Sequence, residues 1–304
     1  MQSDYILARK SQLHFYKDVP LYTKTSNGFV LYKPEGMTLG GMRLNEARHP
    51  HRMYMLKKDK LKGLQEAQKG FNHQLTKNIQ SGSKEQIKET LVTMMDETLA
   101  EPRSGSLEGV SETIDILMSD YAQESQVVES LWKVSFQDYT TALHSINVMA
   151  FALGFAAHTG FNSHDMKIFG LAALLHDVGK TKIDPEILQA AGKLSDEEFE
   201  EMKKHTTIGF NILDKCQFND QRIKLTALDH HEKLDGSGYP NGKSNLSEIA
   251  QTIGIIDCYE ALTNDDRPYR SAMDPLKALE IIKEDVVVSK FDVKNFEQFA
   301  YSLT

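Results

Sequence analysis

The sequence predicts a mainly α-helical protein with a small N-terminal α/β module. Residues 1 to about 60 contain short aromatic and β-branched runs separated by turn signals, which is typical of short strands. From about residue 58 the chain is rich in Lys, Glu, Gln, Leu and Met and has few internal breakers. From residue 129 onward the hydrophobic residues recur almost throughout with a helical period.

Four short runs near the N-terminus are predicted as strands. They are rich in aromatic and β-branched side chains, and turn signals such as Ser26-Asn27-Gly28 lie between them. The predicted strands are Leu13–Tyr16, Val19–Thr23, Gly28–Tyr32 and Arg52–Leu56. Together they indicate a small mixed module rather than a large sheet.

Helices are predicted to follow these strands along the rest of the chain. The first three are predicted at 58–79, 84–99 and 107–128, because glycines and a proline separate these segments. We place a domain boundary near residue 125, between a regulatory N-terminal module (1–125) and a helical C-terminal domain (126–304). Alternatively, the N-terminal helices pack as an extension of the helical domain.

Composition narrows the classes of function. The 304 residues are enough for two ordinary domains or one large one. The formal net charge of −8 argues against a surface that coats DNA or RNA, whereas a local basic pocket or a metal would still accept a small anionic substrate. Cys216 and Cys258 lack CxxC spacing, which argues against a thiolate zinc site. We find no leader pattern and no apolar run of bilayer length, and therefore expect a cytoplasmic protein.

Five histidines fall on the apolar faces of predicted helices. His144 shares one helical face with Val148, Phe151 and Phe155, which follow it by 4, 7 and 11 residues. The same phasing applies to His176, His205, His230 and His231. A single histidine in such a position is more often a hydrogen-bonded core residue than a metal ligand, so the set as a whole carries the argument.

Two aspartates join the histidines. Asp177 follows His176 at the end of a predicted helix, and Gly179 comes two residues later as a helix stop. Asp257 lies on the face of a predicted helix that carries Ile249 and Ile253. A buried carboxylate is costly unless it is paired or bound to a cation, and the pattern offers no basic partner. Five histidines and two aspartates directed inward predict a metal site, and hence an enzyme.

The order and spacing of these residues resemble the HD-GYP subfamily of the HD phosphohydrolase superfamily. The resemblance extends from about Asp138 to Tyr269. It includes His176-Asp177 with Gly179-Lys180, His205 with Gly209, the run His-His-Glu-x-x-Asp-Gly-x-Gly-Tyr-Pro at 230–240, and Asp257. It implies an all-helical HD-GYP bundle with metals at its centre. It also implies a bacterial, metal-dependent phosphodiesterase that converts cyclic di-GMP to pGpG, and sometimes onward to GMP.

The resemblance further implies a ligand set for two divalent metal ions. The first ion would be held by His144, His176, Asp177 and Asp257. The second would be held by His205, His230, His231 and a bridging Asp177. Members with a third metal carry a glutamate at the position of Thr140, so two ions are expected here. Iron is the family habit, and the donor set also suits manganese or zinc.

Substrate handling is implied at further positions. In the implied mechanism, a hydroxide that bridges the two metals attacks phosphorus. Asp138 and Lys180 match positions that handle protons or contact substrate, and together with Asp177 they are the expected catalytic residues. The expected substrate-binding residues are Lys180, Tyr239, Arg267 and Arg270. The segment before Arg267 carries one residue more than the usual family spacing.

Four questions remain open at the level of sequence. The substrate could be another cyclic dinucleotide such as 3′,3′-cGAMP, or a different phosphoester. The domain could instead be a metal-containing sensor or adaptor with weak catalysis. The Gly-Tyr-Pro loop is either a plain connection or a lip that touches substrate or a partner such as a diguanylate cyclase domain. The N-terminal module is expected to sense a ligand, to form a homodimer, or to restrict access to the metals.

Overall fold

The computed structural model divides into two compact units, Met1–Lys77 and Asn78–Thr304. The structure describes residues 4–42, 49–100, 102, 107, 109–121, 140–190, 192–216, 218–264 and 273–303. The predicted domain boundary near residue 125 lies outside this set and stays a prediction. Among the described residues, eleven α-helices and one four-stranded sheet confirm the mainly helical fold class.

The first unit is built around a small antiparallel sheet. Its strands are β1 (Tyr5–Leu7), β2 (Leu21–Thr25), β3 (Gly28–Lys33) and β4 (Tyr54–Leu56), in the order β1-β4-β2-β3. A tight turn joins β2 to β3, and Thr25 pairs with Gly28 across it. Tyr5 stacks on Phe29 at 4.1 Å, so an aromatic contact joins the two edge strands.

One strand prediction in this unit was wrong, and one strand was missed. Leu13–Tyr16 is not a strand, and β1 was not predicted. The Tyr16 hydroxyl donates to Gln12 Oε1 at 2.5 Å, which closes a turn. Phe15 packs so closely on the helix that follows β4 that a Cβ at Gly70 would lie 2.1 Å from its ring. These aromatic side chains pack on a helix instead of pairing in the sheet.

The helices account for most of the described residues. In chain order they are α1 (Lys60–Gln80), α2 (Lys84–Leu99), α3 (Val110–Tyr121), α4 (Thr141–His158), α5 (Ser163–Leu175), α6 (Pro185–Leu188), α7 (Asp196–Asp214), α8 (Gln221–Asp229), α9 (Glu248–Thr263), α10 (Pro275–Val287) and α11 (Val293–Ser302). A 3-10 turn, Val178–Lys182, follows α5. None of the described helices is both long and apolar enough to cross a membrane.

Local sequence signals explain where the central helices begin. Thr140 is the N-cap of α4, and its hydroxyl accepts the Leu143 N–H at 3.1 Å. Ser195 and Glu198 form a capping box at the start of α7. These caps fix the residues at which α4 and α7 begin.

Helix α4 is the centre of the second unit. Fourteen of its residues are buried, so it is apolar almost all round, as expected for a core helix. It packs against α2, α5, α9 and α11. Helix α8 packs against α5, α7 and α9, which completes the group of helices that carries the predicted ligands.

Candidate metal centre

Five helices direct the seven predicted ligands toward one place. His144 comes from α4, His205 from α7 and Asp257 from α9. The pairs His176-Asp177 and His230-His231 follow the last turns of α5 and α8. The seven fall into three overlapping groups, within each of which the ligand atoms lie within 4.8 Å of one another. All are buried except the half-buried His231, so the inward phasing predicted for them is confirmed for the other six.

A glycine makes this convergence sterically possible. Gly179, in the 3-10 turn after α5, lies so close to α7 that an added Cβ would be 1.9 Å from the His205 carbonyl oxygen. The turn can therefore rest directly on the α7 backbone. Asp177, two residues earlier, is in this way placed next to His205.

Asp177 lies between two pairs of imidazoles. Its Oδ2 is 3.4 Å from Nε2 of both His144 and His176. Its Oδ1 is 3.4 Å from Nε2 of His205 and 3.8 Å from Nε2 of His230. We call these the Oδ2 side (His144, His176 and Asp257) and the Oδ1 side (His205, His230 and His231). Each oxygen of this carboxylate thus faces a different pair of imidazoles, although His176, His230 and Asp257 also lie within 4.8 Å of one another.

Asp257 adds a second carboxylate to the Oδ2 side. Its Oδ1 is 3.0 Å from Nε2 of His144 and 4.0 Å from Nε2 of His176. The side chain is buried and belongs to α9, a different helix from those that position His144 and His176. The Oδ2 side therefore concentrates negative charge that the Oδ1 side lacks.

Backbone carbonyls orient three of the histidines. Nδ1–H of His176 donates to Ala173 O at 2.6 Å, and Nδ1–H of His205 donates to Met202 O at 2.7 Å. The same nitrogen of His230 lies 3.1 Å from Thr226 O. Because carbonyls only accept, Nδ1 carries the proton and Nε2 presents its lone pair to the cluster.

His144 is oriented differently. Its Nδ1–H donates to the buried carboxylate of Glu260 on α9, 2.6 Å away. The other Glu260 oxygen accepts a hydrogen bond from Asn147 at 2.9 Å. A carboxylate behind a histidine increases the basicity of the ligand nitrogen on the opposite side of the ring. Glu260 and Asn147 were missed from sequence, although each lies three residues after a predicted ligand on the same helical face.

Burial and charge set the protonation of the cluster. Burial lowers the pKa of His205 to about 4 and that of His230 to about 3, so both are neutral near pH 7. For His144 burial acts in the same direction, but Glu260 and the two aspartates raise its pKa well above the ordinary value. Burial would raise the pKa of Asp177, yet Lys180 and His176 hold it well below its usual range.

These donors fit a divalent cation. His176 Nε2 and Asp177 Oδ1 are buried, and neither has a hydrogen-bond partner among the described residues. Buried polar atoms are normally satisfied, so such atoms pointing at one another need a further partner. Neutral imidazole and carboxylate donors suit iron, manganese or zinc. A divalent cation is the partner that this donor set accommodates.

Tyr239 of the predicted Gly-Tyr-Pro run packs on the cluster. Its ring stacks on the His231 ring with centroids 4.7 Å apart and an interplanar angle of 28°. The ammonium of Lys203 lies 5.8 Å from the Tyr239 ring centroid. Tyr239 therefore covers one face of a predicted ligand at the edge of the site.

A buried carboxylate holds the loop that carries Tyr239. Glu232 accepts the backbone N–H of Asn241 at 2.7 Å and that of Lys243 at 3.1 Å. Gly238 packs so tightly that an added Cβ would lie 2.4 Å from Glu232 Cα. The loop is thereby folded back onto the residues that follow His231. Sequence reasoning did not assign Glu232 this role, although it stands directly after the histidine pair.

The remaining predicted site residues divide into two groups. Lys180 lies at the cluster, with Nζ 2.5 Å from Asp177 Oδ2. Asp138, Arg267 and Arg270 lie outside the described residues, so their predicted roles stay predictions. Thr140, the position that decides between two and three metals in the resemblance, serves here as a helix cap.

Sequence comparison agrees with this geometry. A family model described as HD domain matches residues 114–294, which is more than half of the chain. A cyclic di-GMP phosphodiesterase of Pseudomonas aeruginosa is 31% identical over 176 residues, which cover 57% of this chain and 42% of that protein. A 3′3′-cGAMP-specific phosphodiesterase of Vibrio cholerae is 31% identical over 191 residues, or 62% of this chain and 42% of that protein. The aligned regions therefore span about two fifths of these relatives.

A third relative and a solved structure extend the comparison. A cyclic di-GMP phosphodiesterase of Thermotoga maritima is 36% identical over 152 residues, covering 48% of this chain and 40% of that protein. A structure described as an HDG"Y"P protein from Bdellovibrio bacteriovorus superimposes with a TM-score of 0.62 at 20% identity, over 99% of each chain. At that identity the likeness establishes the fold alone.

Proposed function

The chain belongs to the HD domain family, and on that premise we propose that it is a metal-dependent phosphodiesterase that hydrolyses cyclic di-GMP to pGpG. The observation that carries the proposal is the placement of Asp177. Each of its two oxygens faces a different pair of imidazole Nε2 atoms. A carboxylate in this position is suited to bridge two cations.

We propose the following ligands for two divalent cations. The first is held on the Oδ2 side by His144, His176, Asp177 and Asp257. The second is held on the Oδ1 side by Asp177, His205, His230 and His231. The neutral state of His205 and His230, whose pKa burial lowers, supports the second of these ligand sets because a protonated imidazole cannot ligate. We propose iron as the metal, with manganese or zinc as substitutes.

Bound divalent cations would supply Lewis-acid stabilisation and a nucleophile at neutral pH. The chain's own contribution begins with Lys180. Its ammonium lies 2.5 Å from Asp177 Oδ2 and is partly exposed, so it can reach a phosphoryl oxygen beside the cluster. We propose that it stabilises the negative charge that develops on that oxygen. Asp177 orients this ammonium as well as the donors around it.

Tyr239 is proposed to shape the substrate side of the site. Its stacking on His231 holds that imidazole in place, and its ring forms a wall at the edge of the cluster. The proposed roles of Asp138 as a proton donor and of Arg267 and Arg270 as phosphate or guanine contacts rest on the resemblance alone.

The test is hydrolysis of cyclic di-GMP by the purified chain loaded with Fe²⁺ or Mn²⁺. Chromatography should show conversion to pGpG, and then to GMP if the second bond is also cut. His176→Ala and Asp177→Ala should abolish conversion. His158→Ala is the matched control, because His158 is exposed at the end of α4 and should have no effect.

Loaded protein that hydrolyses no cyclic dinucleotide would contradict the proposal. In that case, binding of the dinucleotide without turnover would favour the sensor or adaptor alternative.

A second candidate substrate is 3′,3′-cGAMP. A cGAMP-specific phosphodiesterase and a cyclic di-GMP phosphodiesterase match this chain at the same identity, 31%. The two substrates share the phosphodiester bonds and differ only in one base, so the proposed metal ligands do not distinguish them. Comparing kcat/KM for both dinucleotides decides between them, and a ratio above about tenfold in either direction corresponds to about 1.4 kcal/mol of discrimination.

The setting of the enzyme is proposed from the same resemblance. We propose a cytoplasmic protein whose residues 1–125 regulate the catalytic domain at 126–304, either alone or in a homodimer. We also propose that the Gly-Tyr-Pro loop contacts a diguanylate cyclase domain. Asp235, Ser237, Pro240 and Asn241 in this loop are exposed, which supports docking there.

A further inference from the structure

Among the four deeply buried histidines, His144 depends on another helix for its orientation. His176, His205 and His230 each donate Nδ1–H to carbonyls of the helix they follow or belong to. Those three orientations come with the secondary structure itself. The His144 ring is instead directed by the side chain of Glu260, 116 residues away in sequence.

Helix α9 contacts both nitrogens of this one ring. Glu260 Oε2 lies 2.6 Å from Nδ1, and Asp257 Oδ1 lies 3.0 Å from Nε2. The two acidic residues are three positions apart on α9, so they project from the same face. A single turn of α9 therefore supplies both Asp257, a predicted ligand, and Glu260, the carboxylate behind His144.

Glu260 is itself held rigidly. Its Oε1 accepts two hydrogen bonds. One comes from Nδ2 of Asn147 on α4, 2.9 Å away, and the other from Nδ2 of Asn264, the C-cap of α9, 2.5 Å away. The carboxylate is buried, and its hydrogen bonds to His144, Asn147 and Asn264 hold it in one orientation. A buried carboxylate fixed in this way can position a neighbour without itself touching a metal.

We infer that Glu260 is a positioning residue that fixes His144 for cation binding on the Oδ2 side of Asp177 and leaves the Oδ1 side unaffected. This rests on the proposed function, in which His144 is a metal ligand. Glu260→Gln keeps the size of the side chain but removes its charge. Loss of such a partner typically weakens metal binding by about 10–100-fold.

The experiment is a calorimetric titration of metal-free protein with Mn²⁺ in two backgrounds. His205→Ala disables the Oδ1 side and reports the Oδ2 side, whereas His144→Ala does the reverse. Glu260→Gln should weaken Mn²⁺ binding by about 10–100-fold in the His205→Ala background. It should change the affinity less than about twofold in the His144→Ala background. Glu260 acts through His144, so its effect disappears once His144 has been removed.

Equal weakening in both backgrounds, or no weakening in the first, would overturn the inference. Glu248→Gln is the matched control, since Glu248 is exposed in the first turn of the same helix and should change neither affinity. If Glu260→Gln does not fold, Glu260→Asp replaces it, because it retains the charge on a shorter side chain. This variant should weaken Mn²⁺ binding by a smaller factor, again in the His205→Ala background alone. Equal weakening in both backgrounds would again overturn the inference. No substrate is present, so inactivity toward cyclic di-GMP would leave this result unchanged.

Discussion

The two sides of Asp177 differ in composition and in how their histidines are oriented: the Oδ2 side has two histidines and Asp257, and the Oδ1 side has three histidines. On the Oδ1 side, His205 and His230 are oriented by carbonyls of their own helices, and burial depresses their pKa values. On the Oδ2 side, His144 is oriented by α9, and the surrounding carboxylates raise its pKa against the effect of burial. His144 is thus oriented by tertiary packing, whereas His205, His230 and, on the same side as His144, His176 are oriented by carbonyls of the helices they follow or belong to.

Removing the Asp177 carboxylate should have the largest effect, because both sides of the cluster share it. Asp177→Ala takes one oxygen from each side and should lower tight Mn²⁺ binding from two ions to none, as measured by elemental analysis after desalting. Hydrolysis should fall by about a thousandfold or more, since metal assistance contributes several kcal/mol. Asp165→Ala, which alters an exposed ion pair with Arg222, should leave both quantities unchanged. If Asp177→Ala retained two ions, Asp177 would not be a ligand shared by both of them.

Single histidine changes should separate the sides. His144→Ala and His205→Ala are each expected to lose one of two Mn²⁺ ions, with different ligands left behind. The same elemental analysis measures this, and His158→Ala supplies the control from the α4 surface. If either variant lost both ions at once, the two sides would have to be one site.

Backbone packing should matter more at the Oδ1 side. In Gly179→Ala the new methyl would lie 1.9 Å from the His205 carbonyl oxygen, so the turn and α7 must separate. Such overpacking typically costs about 1–3 kcal/mol, which urea unfolding would measure. Gly154→Ala on α4 meets open space and should instead be neutral or stabilising by up to about 1 kcal/mol. Equal stability of the two variants would show that the close approach of the turn to α7 is unimportant.

The smallest effect is expected at the loop that covers His231. Glu232→Gln leaves one carbonyl oxygen where the carboxylate accepted two backbone N–H groups, which should cost about 1–2 kcal/mol. Hydrogen exchange at the Asn241 and Lys243 amides should accelerate, whereas exchange in α4 should not. Glu186→Gln at the exposed start of α6 is the control. Unchanged protection of both amides would contradict the assigned role of Glu232.

Helical phasing predicted which residues cluster, because each of them lies on or directly follows the apolar face of one helix. Asp257 stood out for this reason, and so did His144. Glu260 escaped the same reasoning because phasing identifies inward positions without saying which group each one contacts. That Glu260 meets His144 depends on how α4 and α9 cross, which is tertiary information.

The N-terminal sheet was harder to predict. β1, which was missed, has only three residues, too few for an alternating pattern to be distinct. Leu13–Tyr16 has strand-like composition, yet Phe15 packs on Gly70 of α1. Aromatic residues suit a strand and a helix-packing turn equally well, so composition could not decide between them.

The most direct test of the account is anomalous diffraction from crystals of the full chain soaked in Mn²⁺. Two anomalous peaks are expected about 3.5–4 Å apart, one beside each oxygen of Asp177. His144 and His176 should contact the first, and His205, His230 and His231 the second. A single peak, or two peaks of which neither contacts Asp177, would contradict it.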